Sequence, residues 1–330
     1  MKLSDRRILV TGAAGFIGSH LSDRLAQDNE LLLVDDFSIG PRENLSQLEG
    51  LANVRIVEAD ITEPERMRAL CAGIDVVFHL AISCLRSSLN QPILSHDTNA
   101  GGTLCVCLAA RDQEVERLVY VSSSEVYGSA RSVPMNEDHP LHPTTVYGAS
   151  KLAGELYALA FWRTYEMPVS VVRPFNTYGP REPWQGARAE VIPRFILQLL
   201  AGKAPVVYGD GTQTRDFTFV EDTVRGLVAA GACDELVGEV VNVARGSEAS
   251  ILQIAEQLPP LVGREVPVVH EAPRPGDVDR HFADVSKARR LFGYEPQVEL
   301  SDGLARTVEW FRSHDIASRA PAEAAGTPNW

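Results

Sequence analysis

The sequence predicts an α/β fold, a doubly wound parallel sheet with a smaller C-terminal substrate-binding lobe. Two patterns carry that reading. Seven short runs rich in aliphatic and β-branched residues recur at 8–10, 31–34, 54–57, 76–80, 118–121, 169–172 and 240–243. Runs so nearly continuous in apolar residues mark strands covered on both faces. Amphipathic segments at about 16–28, 63–72, 92–111 and 145–166 lie between them, and strand alternating with helix builds a parallel sheet. A third observation sits at the first strand's end, in ILVTGAAGFIGSH at 8–20.

There Gly12, Gly15 and Gly18 form Gly-x-x-Gly-x-x-Gly between a strand and a helix start. The first glycine permits a tight turn. The second lets backbone approach a pyrophosphate, and the third lets the helix pack on the strand. The helix N-terminus, at Phe16 and Ile17, offers unpaired N–H groups and partial positive charge. Asp35 ends the second strand, followed by Asp36. A carboxylate there can accept hydrogen bonds from ribose hydroxyls and repels a 2′-phosphate, which favours NAD over NADP. Asp60 and Ile61, after the third strand, would flank the adenine, or be an ordinary strand-end acid and a core residue.

The fifth strand ends in Ser122, Ser123, Ser124 and Glu125. That is the carboxyl edge where ligands sit in open α/β sheets, although such a run also suits a turn or helix cap. On the next helix Tyr147 and Lys151 are four apart and share a face. A phenol titrates near 10, too high for a base at neutral pH. A nearby ammonium and a positive nicotinamide ring would lower it and let Tyr147 take a proton from a substrate hydroxyl. Taken alone, Tyr-x-x-x-Lys also fits a solvated helix surface.

After Arg173 the texture changes. Pro174, Gly179, Pro180, Pro183, Gly186 and Pro193 punctuate the chain, with a helix expected near 191–201. A strand at 240–243 and helices near 250–258 and 301–312 follow. We divide the chain into a cofactor domain, 1–175, and a discontinuous lobe, 176–312, with 215–244 expected to return to the main sheet. Residues 313–330, rich in Ala, Pro, Ser and Gly, read as a loose tail.

The bulk composition narrows the function. The 330 residues carry net charge −13, from 31 basic and 44 acidic residues. An acidic chain without basic blocks is a poor partner for nucleic acid or an anionic membrane. Any bound phosphate must be met by a few placed cations and backbone N–H groups. No apolar run is long enough to span a bilayer. The N-terminal stretch is too short for a signal peptide, so the expected location is the cytoplasm. The five cysteines, Cys71, Cys84, Cys105, Cys107 and Cys233, read as free thiols without zinc-site spacing, and no metal is expected.

Seven features occur in one order: TGAAGFIG, the Asp after the second strand, HLA at 79–81, SSSEVYG, YGASK, RPFNTYGP at 173–180 and RDFTFVEDT at 215–223. Together they resemble the extended short-chain dehydrogenase/reductase family, in its nucleotide-sugar epimerase/dehydratase branch, from about residue 7 to 312. The resemblance implies a Rossmann domain and a tightly held NAD, reduced and reoxidised within one turnover. It implies Tyr147 as base, Lys151 as its electrostatic partner, and Ser123 or Ser124 on the reacting hydroxyl. Leu80, Ala81, Ser122 and Pro174 join the cofactor residues by the same matches. Asn99, in TNAGGT, matches a residue that sets the geometry of the catalytic helix, and it equally suits a buried structural role. On the substrate side, the resemblance points to Asn176 for the sugar-nucleotide phosphate. It points to Val191 in the stretch AEVIPRF, and to Arg215, Arg274 and Asp277 for the diphosphate and nucleoside ribose. Arginine suits a diphosphate because its planar fork pairs two oxygens at once. A homodimer, built on the helices near 92–111 and 145–166, is also implied.

Members of this family first oxidise the sugar at C4. Ser124 replaces the Asp usual in dehydratases, which argues against loss of water. Glu125 is closer to decarboxylases, whereas REPWQGARAEVIPRFI looks more like the epimerases. Arg181, after YGP, and Arg86, in ISCLRSS, are candidates for pairing with a C5 carboxylate. The expected function is NAD-dependent 4-epimerisation of a UDP-sugar such as UDP-glucuronate. Decarboxylation and dehydration are the enzymatic alternatives, and an inactive NAD-binding sensor the non-enzymatic one. The presence of both Tyr147 and Lys151 argues against the sensor.

Overall fold

In the computed structural model, which describes residues 1–273 and 279–319, all seven apolar runs are strands of one sheet. They are β1 (Arg7–Thr11), β2 (Glu30–Asp35), β3 (Val54–Glu58), β4 (Val76–His79), β5 (Arg117–Val121), β6 (Val169–Pro174) and β7 (Val240–Val243). The order across the sheet is β7-β6-β5-β4-β1-β2-β3, and every pairing is parallel. The order reverses beside β1, so loops leaving the carboxyl ends of β1 and β4 diverge and open a crevice.

Each strand feeds two cores because successive side chains face opposite ways. Ile8 and Val10 of β1, Val76 and Phe78 of β4, and Val119 and Val121 of β5 enter one core. Leu9, Val77, Leu118 and Tyr120 enter the other. The first core is closed by helices Phe16–Leu25 and Val220–Ala232, which pack together. The second is closed by helices Pro64–Cys71, Thr103–Asp112 and Val146–Tyr165.

The segment expected as one helix over 92–111 is broken. It runs as a helix Pro92–His96, a π-helical turn Asp97–Gly102 and a helix Thr103–Asp112. Gly102 gives the reason for part of this path. A Cβ there would lie 2.5 Å from Cδ1 of Ile61, so glycine lets the turn settle on that side chain without displacing it. A further helix, Leu85–Asn90, precedes it.

The second lobe packs helices Val191–Leu200, Ile251–Val262 and Leu300–Ser313 around Phe195, Leu199, Ile254, Leu258, Val308 and Phe311. Residues 220–243 do run back to the main body, as a helix on the first core and then β7 on β6. Residues 214–219 instead belong to two small sheets of the lobe. Of the segment 313–330 read as a loose tail, residues 313–319 are described and are helical in part, and the rest lies outside the described residues. Ser313 closes the last long helix, a further turn Ile316–Arg319 follows, and Ile316 is only 1% exposed.

One buried ion pair fixes the long helix to the sheet. Glu155 of helix Val146–Tyr165 pairs with Arg173 of β6, both almost wholly buried. Arg173 Nε also donates to Glu155 Oε2 (3.1 Å), and Ser122 Oγ donates to the same oxygen (2.7 Å). Arg173 Nη1 donates to the Tyr127 hydroxyl (2.8 Å), which donates to Asn242 Oδ1 of β7 (2.7 Å). Removing one partner of such a pair strands a buried charge. Arg173→Met should therefore destabilise the protein by about 3–5 kcal/mol, and adding Glu155→Met should restore much of it; urea unfolding of both variants reads this directly.

Candidate active site

The glycine turn after β1 sits where sequence reading placed it, and its packing shows why glycine is required. Gly12 has φ +68°, and a Cβ there would lie 2.6 Å from the Ala81 nitrogen. At Gly18 a Cβ would lie 2.0 Å from the Gly12 carbonyl oxygen. Gly15 is different: nothing but that same carbonyl, at 3.0 Å, would touch its Cβ, so its outer side is open. The helix it begins has no side-chain cap and no acidic residue in its first turn. Its first N–H groups have no partner within the helix, which makes an anion slot.

Asp35 closes the turn from β2. Its Oδ2 accepts from the Ala14 N–H and its Oδ1 from the Phe37 N–H, both at 2.8 Å. Burial raises its pKa to about 6, against the pull of those two donors. Asp36 is exposed and bonds Ser38. Asp60 is also exposed and turns its Oδ1 to the Thr62 N–H (2.8 Å), while Ile61 is buried.

A buried relay, absent from the sequence reading, joins this turn to the catalytic helix. His79 ends β4 with no exposed surface. Its Nδ1 lies 2.6 Å from Thr11 Oγ1 and its Nε2 lies 3.0 Å from Thr103 Oγ1. Thr103 donates its own proton to the Asn99 carbonyl (2.6 Å), so it must accept from His79 Nε2–H. Nδ1 therefore accepts from Thr11, and burial keeps the imidazole neutral, its pKa lowered to about 3. Thr11 Oγ1 in turn accepts from the Leu80 and Ala81 N–H groups (3.2 and 3.3 Å). Asn99, in the π-helical turn, accepts from Ser83 N–H (2.7 Å) and donates to Ser83 O and to the hydroxyls of Ser95 and Ser150. These bonds give Asn99 a structural role at the start of the catalytic helix.

Tyr147 is the second residue of helix Val146–Tyr165, capped by Thr145, whose hydroxyl accepts from Gly148 N–H (3.0 Å). Lys151 lies one turn on and almost wholly buried. Its ammonium donates to the Val121 carbonyl (2.8 Å) and stands over the Tyr120 ring at 4.3 Å. The Ser123 hydroxyl lies near the Tyr147 phenol and pulls its pKa down. The helix spacing thus delivers both side chains to the carboxyl edge of β5, where burial dominates the electrostatics of the chain without its dinucleotide. Burial pushes the Tyr147 phenol up rather than down, with Ser123 opposing and the Glu125 carboxylate adding to the rise. Burial also lowers Lys151 to about 7, against the pull of Glu155. For each group desolvation outweighs the neighbours that oppose it.

Ser122, Ser123 and Ser124 face three ways. Ser122 gives its hydroxyl proton to Glu155 (2.7 Å), which ties the end of β5 to the catalytic helix. Ser123 caps a short 3₁₀ turn and faces Tyr147. Ser124 is buried, and its carbonyl opposes the burial that lowers the nearby His281 imidazole to about 4. Glu125 is pushed up by burial and by Glu190, and pulled down by Arg215 and Arg86, so these four charges share one space.

That space continues into a cavity of about 140 Å³ whose lining includes Arg86, Asn176, Val191 and Arg215. Four residues predicted from scattered motifs therefore come together. The cavity also presents Glu190, Arg194, Tyr208 and Gln213, which sequence reasoning missed. Arg86 Nη2 pairs with Glu190 Oε2 at 3.3 Å. Glu190 and Arg194 flank Val191 in the quoted stretch AEVIPRF, and their position beside the residue already chosen was the available signal. Arg181 does not join this cavity. Its guanidinium is held by Asp23 and His20 of helix Phe16–Leu25, which withdraws it as a ligand for a C5 carboxylate. Arg274 and Asp277 lie outside the described residues.

Residues 8–244 match the family described as NAD dependent epimerase/dehydratase family. The chain belongs to that family. It is 38% identical over 312 residues to a UDP-glucose 4-epimerase of Mycolicibacterium smegmatis, covering 93% of this chain and 99% of the relative. It is 37% identical over 316 residues to a UDP-glucuronic acid decarboxylase 1 of Xenopus tropicalis, covering 93% of this chain and 72% of the relative. Among solved structures, it matches a UDP-glucuronic acid 4-epimerase of Bacillus cereus in complex with UDP-glucuronic acid and NAD. That match has a TM-score of 0.87 and 33% identity over 93% of this chain and 99% of the other.

The residues of this NAD-dependent family member fit the dinucleotide. The open side of Gly15 and the uncapped first turn at Phe16 and Ile17 suit the pyrophosphate. Asp35 holds the turn, while Leu80, Ala81 and Pro174 line the carboxyl edge that leads to Tyr147 and Lys151. The depressed Lys151 pKa sets a pH dependence. The unfolded chain, with lysine near 10.5, binds this proton more tightly, so the lysine's contribution to stability rises between about pH 7 and 10.5. In cofactor-free protein, wild type should gain on Lys151→Met across that window by up to about 1.4 kcal/mol per pH unit. Urea midpoints at several pH values give the slope, and a flat difference contradicts it.

Proposed function

We propose that the chain is a nucleotide-sugar 4-epimerase acting on a UDP-sugar, with UDP-glucuronate among its candidate substrates, in a cytoplasmic homodimer. The observation that carries this reading is the Tyr147 phenol, beside Ser123 and Glu125 and one helical turn from Lys151, next to a cavity bearing Arg215 and Asn176. Bound NAD supplies the hydride acceptor and a positive ring that favours the phenolate. Tyr147 receives the proton of the C4 hydroxyl, and Ser123, beside the phenol, orients that hydroxyl. Lys151, fixed on the Val121 carbonyl, places a cation behind the phenol and offsets the burial that raises it. Arg215 and Asn176 hold the diphosphate while the oxidised sugar turns over and presents its other face. The identity to a UDP-glucose 4-epimerase over nearly the whole chain supports the same reading.

Decarboxylation is the second reading. It is favoured by Glu125, which shares its space with Arg86 and Arg215, and by the similarity to a UDP-glucuronic acid decarboxylase. Incubation with UDP-glucose, UDP-N-acetylglucosamine and UDP-glucuronate separates the two by product mass. The expected product is isobaric with the substrate; loss of carbon dioxide supports the second reading. Tyr147→Phe should lower turnover on the order of 10²-fold or more while NAD stays bound, as general acid–base catalysis of this size implies.

The proposed dimer rests on exposed apolar side chains. Leu89, Ile93 and Leu94 lie on helices Leu85–Asn90 and Pro92–His96, and Leu156, Tyr157 and Tyr165 lie on helix Val146–Tyr165. Ile93 is 72% exposed, unusual for isoleucine, and these helices pack together. Light scattering should give the mass of two chains, and Ile93→Glu with Leu156→Glu should give one. A wild-type monomer would refute the interface.

A further inference from the structure

The stretch from Asn176 to Val191 begins and ends in the sugar-nucleotide cavity, and its middle is fastened to the NAD cradle. Arg181 has φ +65°, a left-handed conformation that non-glycine residues keep only when surrounding contacts hold them. Those contacts are built. Its Nη2 donates to Asp23 Oδ2 (2.5 Å) and His20 Nδ1 (3.0 Å), and its Nη1 donates to the Asn44 carbonyl (3.1 Å). His20 then donates from Nε2 to the Pro180 carbonyl (2.8 Å), with burial and the Arg181 charge lowering its pKa to about 4. His20 and Asp23 belong to the helix whose N-terminus forms the anion slot.

The link continues into the glycine turn. The Asn44 side-chain amide donates to the Ala14 carbonyl (2.8 Å), and the Ala14 N–H is the one Asp35 accepts. Gly40 closes over the same carbonyl, where a Cβ would lie 2.2 Å from the oxygen. Farther along, Arg188 Nη1 donates to the Ser38 carbonyl (3.2 Å). The stretch after Asp35 is therefore gripped from the substrate lobe at Ser38 and Asn44.

We propose that Arg181 is a positioning residue that couples the two sites: UDP in the cavity tightens the clasp on the cradle and slows the release of NAD. This rests on the cavity binding a UDP-sugar, as proposed above. A segment anchored at both ends by a ligand opens less often in its middle, and the clasp must open for the 36–48 stretch to lift from the dinucleotide. The coupling is reciprocal, so NAD must tighten UDP binding by the same factor.

The test uses whole protein loaded with NAD and diluted into excess alcohol dehydrogenase and ethanol, so that each NAD released is read as NADH absorbance. In wild type, saturating UDP should slow release about fivefold or more. Arg181→Met should release NAD on the order of tenfold faster and lose the response to UDP. Asp23→Asn cuts the same ion pair from the other side and should move both readouts the same way, with circular dichroism confirming that each variant is folded. Calorimetric titration with UDP separates the two ideas. No binding of UDP to wild type overturns the assigned cavity. Binding of UDP, with wild-type release and wild-type UDP response in both variants, overturns the clasp alone.

Discussion

The chemistry of this protein depends on where one helix stands against one sheet edge, and the buried pair Glu155–Arg173 sets that position. Two charges removed from water are stable together only when their remaining donors and acceptors are met. Ser122, Tyr127 and Asn242 meet them, and in doing so tie β5, β6, β7 and helix Val146–Tyr165 into one unit. Tyr147 and Lys151 ride on that helix. Their reach toward the carboxyl edge is a property of the network behind them more than of their own side chains.

The second constraint links the cofactor side to the same helix. Thr11, His79, Thr103, Asn99 and Ser150 form an unbroken line of hydrogen bonds from β1 to the catalytic helix. Each member's proton assignment follows from its neighbour, so the line has one arrangement rather than several. The π-helical turn at Asp97–Gly102 lets Asn99 bond Ser83, Ser95 and Ser150 together. A regular helix through 92–111 is what the sequence periodicity suggests, and the small residues Ala100, Gly101 and Gly102 are what allow the departure.

Much of the site was legible because it is local. Gly12, Gly15 and Gly18 fall at fixed spacing after a strand, and Tyr147 and Lys151 fall four apart on a helix, so their relations survive any detail of packing. Asn176, Val191 and Arg215 were placed through resemblance to a family pattern, and the lobe does bring them to one cavity with Arg86. Arg181 was misread because its position after YGP says nothing about direction. Its left-handed backbone turns the guanidinium toward Asp23 and away from the cavity. For Tyr147, spacing reveals a neighbouring cation but not how much water both groups have lost, and burial decides the direction in the chain without its dinucleotide.

By itself, the sequence determined the periodic and the short-range features: seven apolar strands, the helices between them, the glycine turn and the pairing of phenol with ammonium. These follow from backbone geometry and residue size within a few positions, which any fold must respect. Only the tertiary structure decided which charges face one another across long sequence separations. It set Glu125 beside Glu190, Arg86 and Arg215, gave Ser122 to Glu155, and closed Arg181 on a helix 158 residues away. Electrostatic energy depends on distance and burial, and neither is written in sequence order.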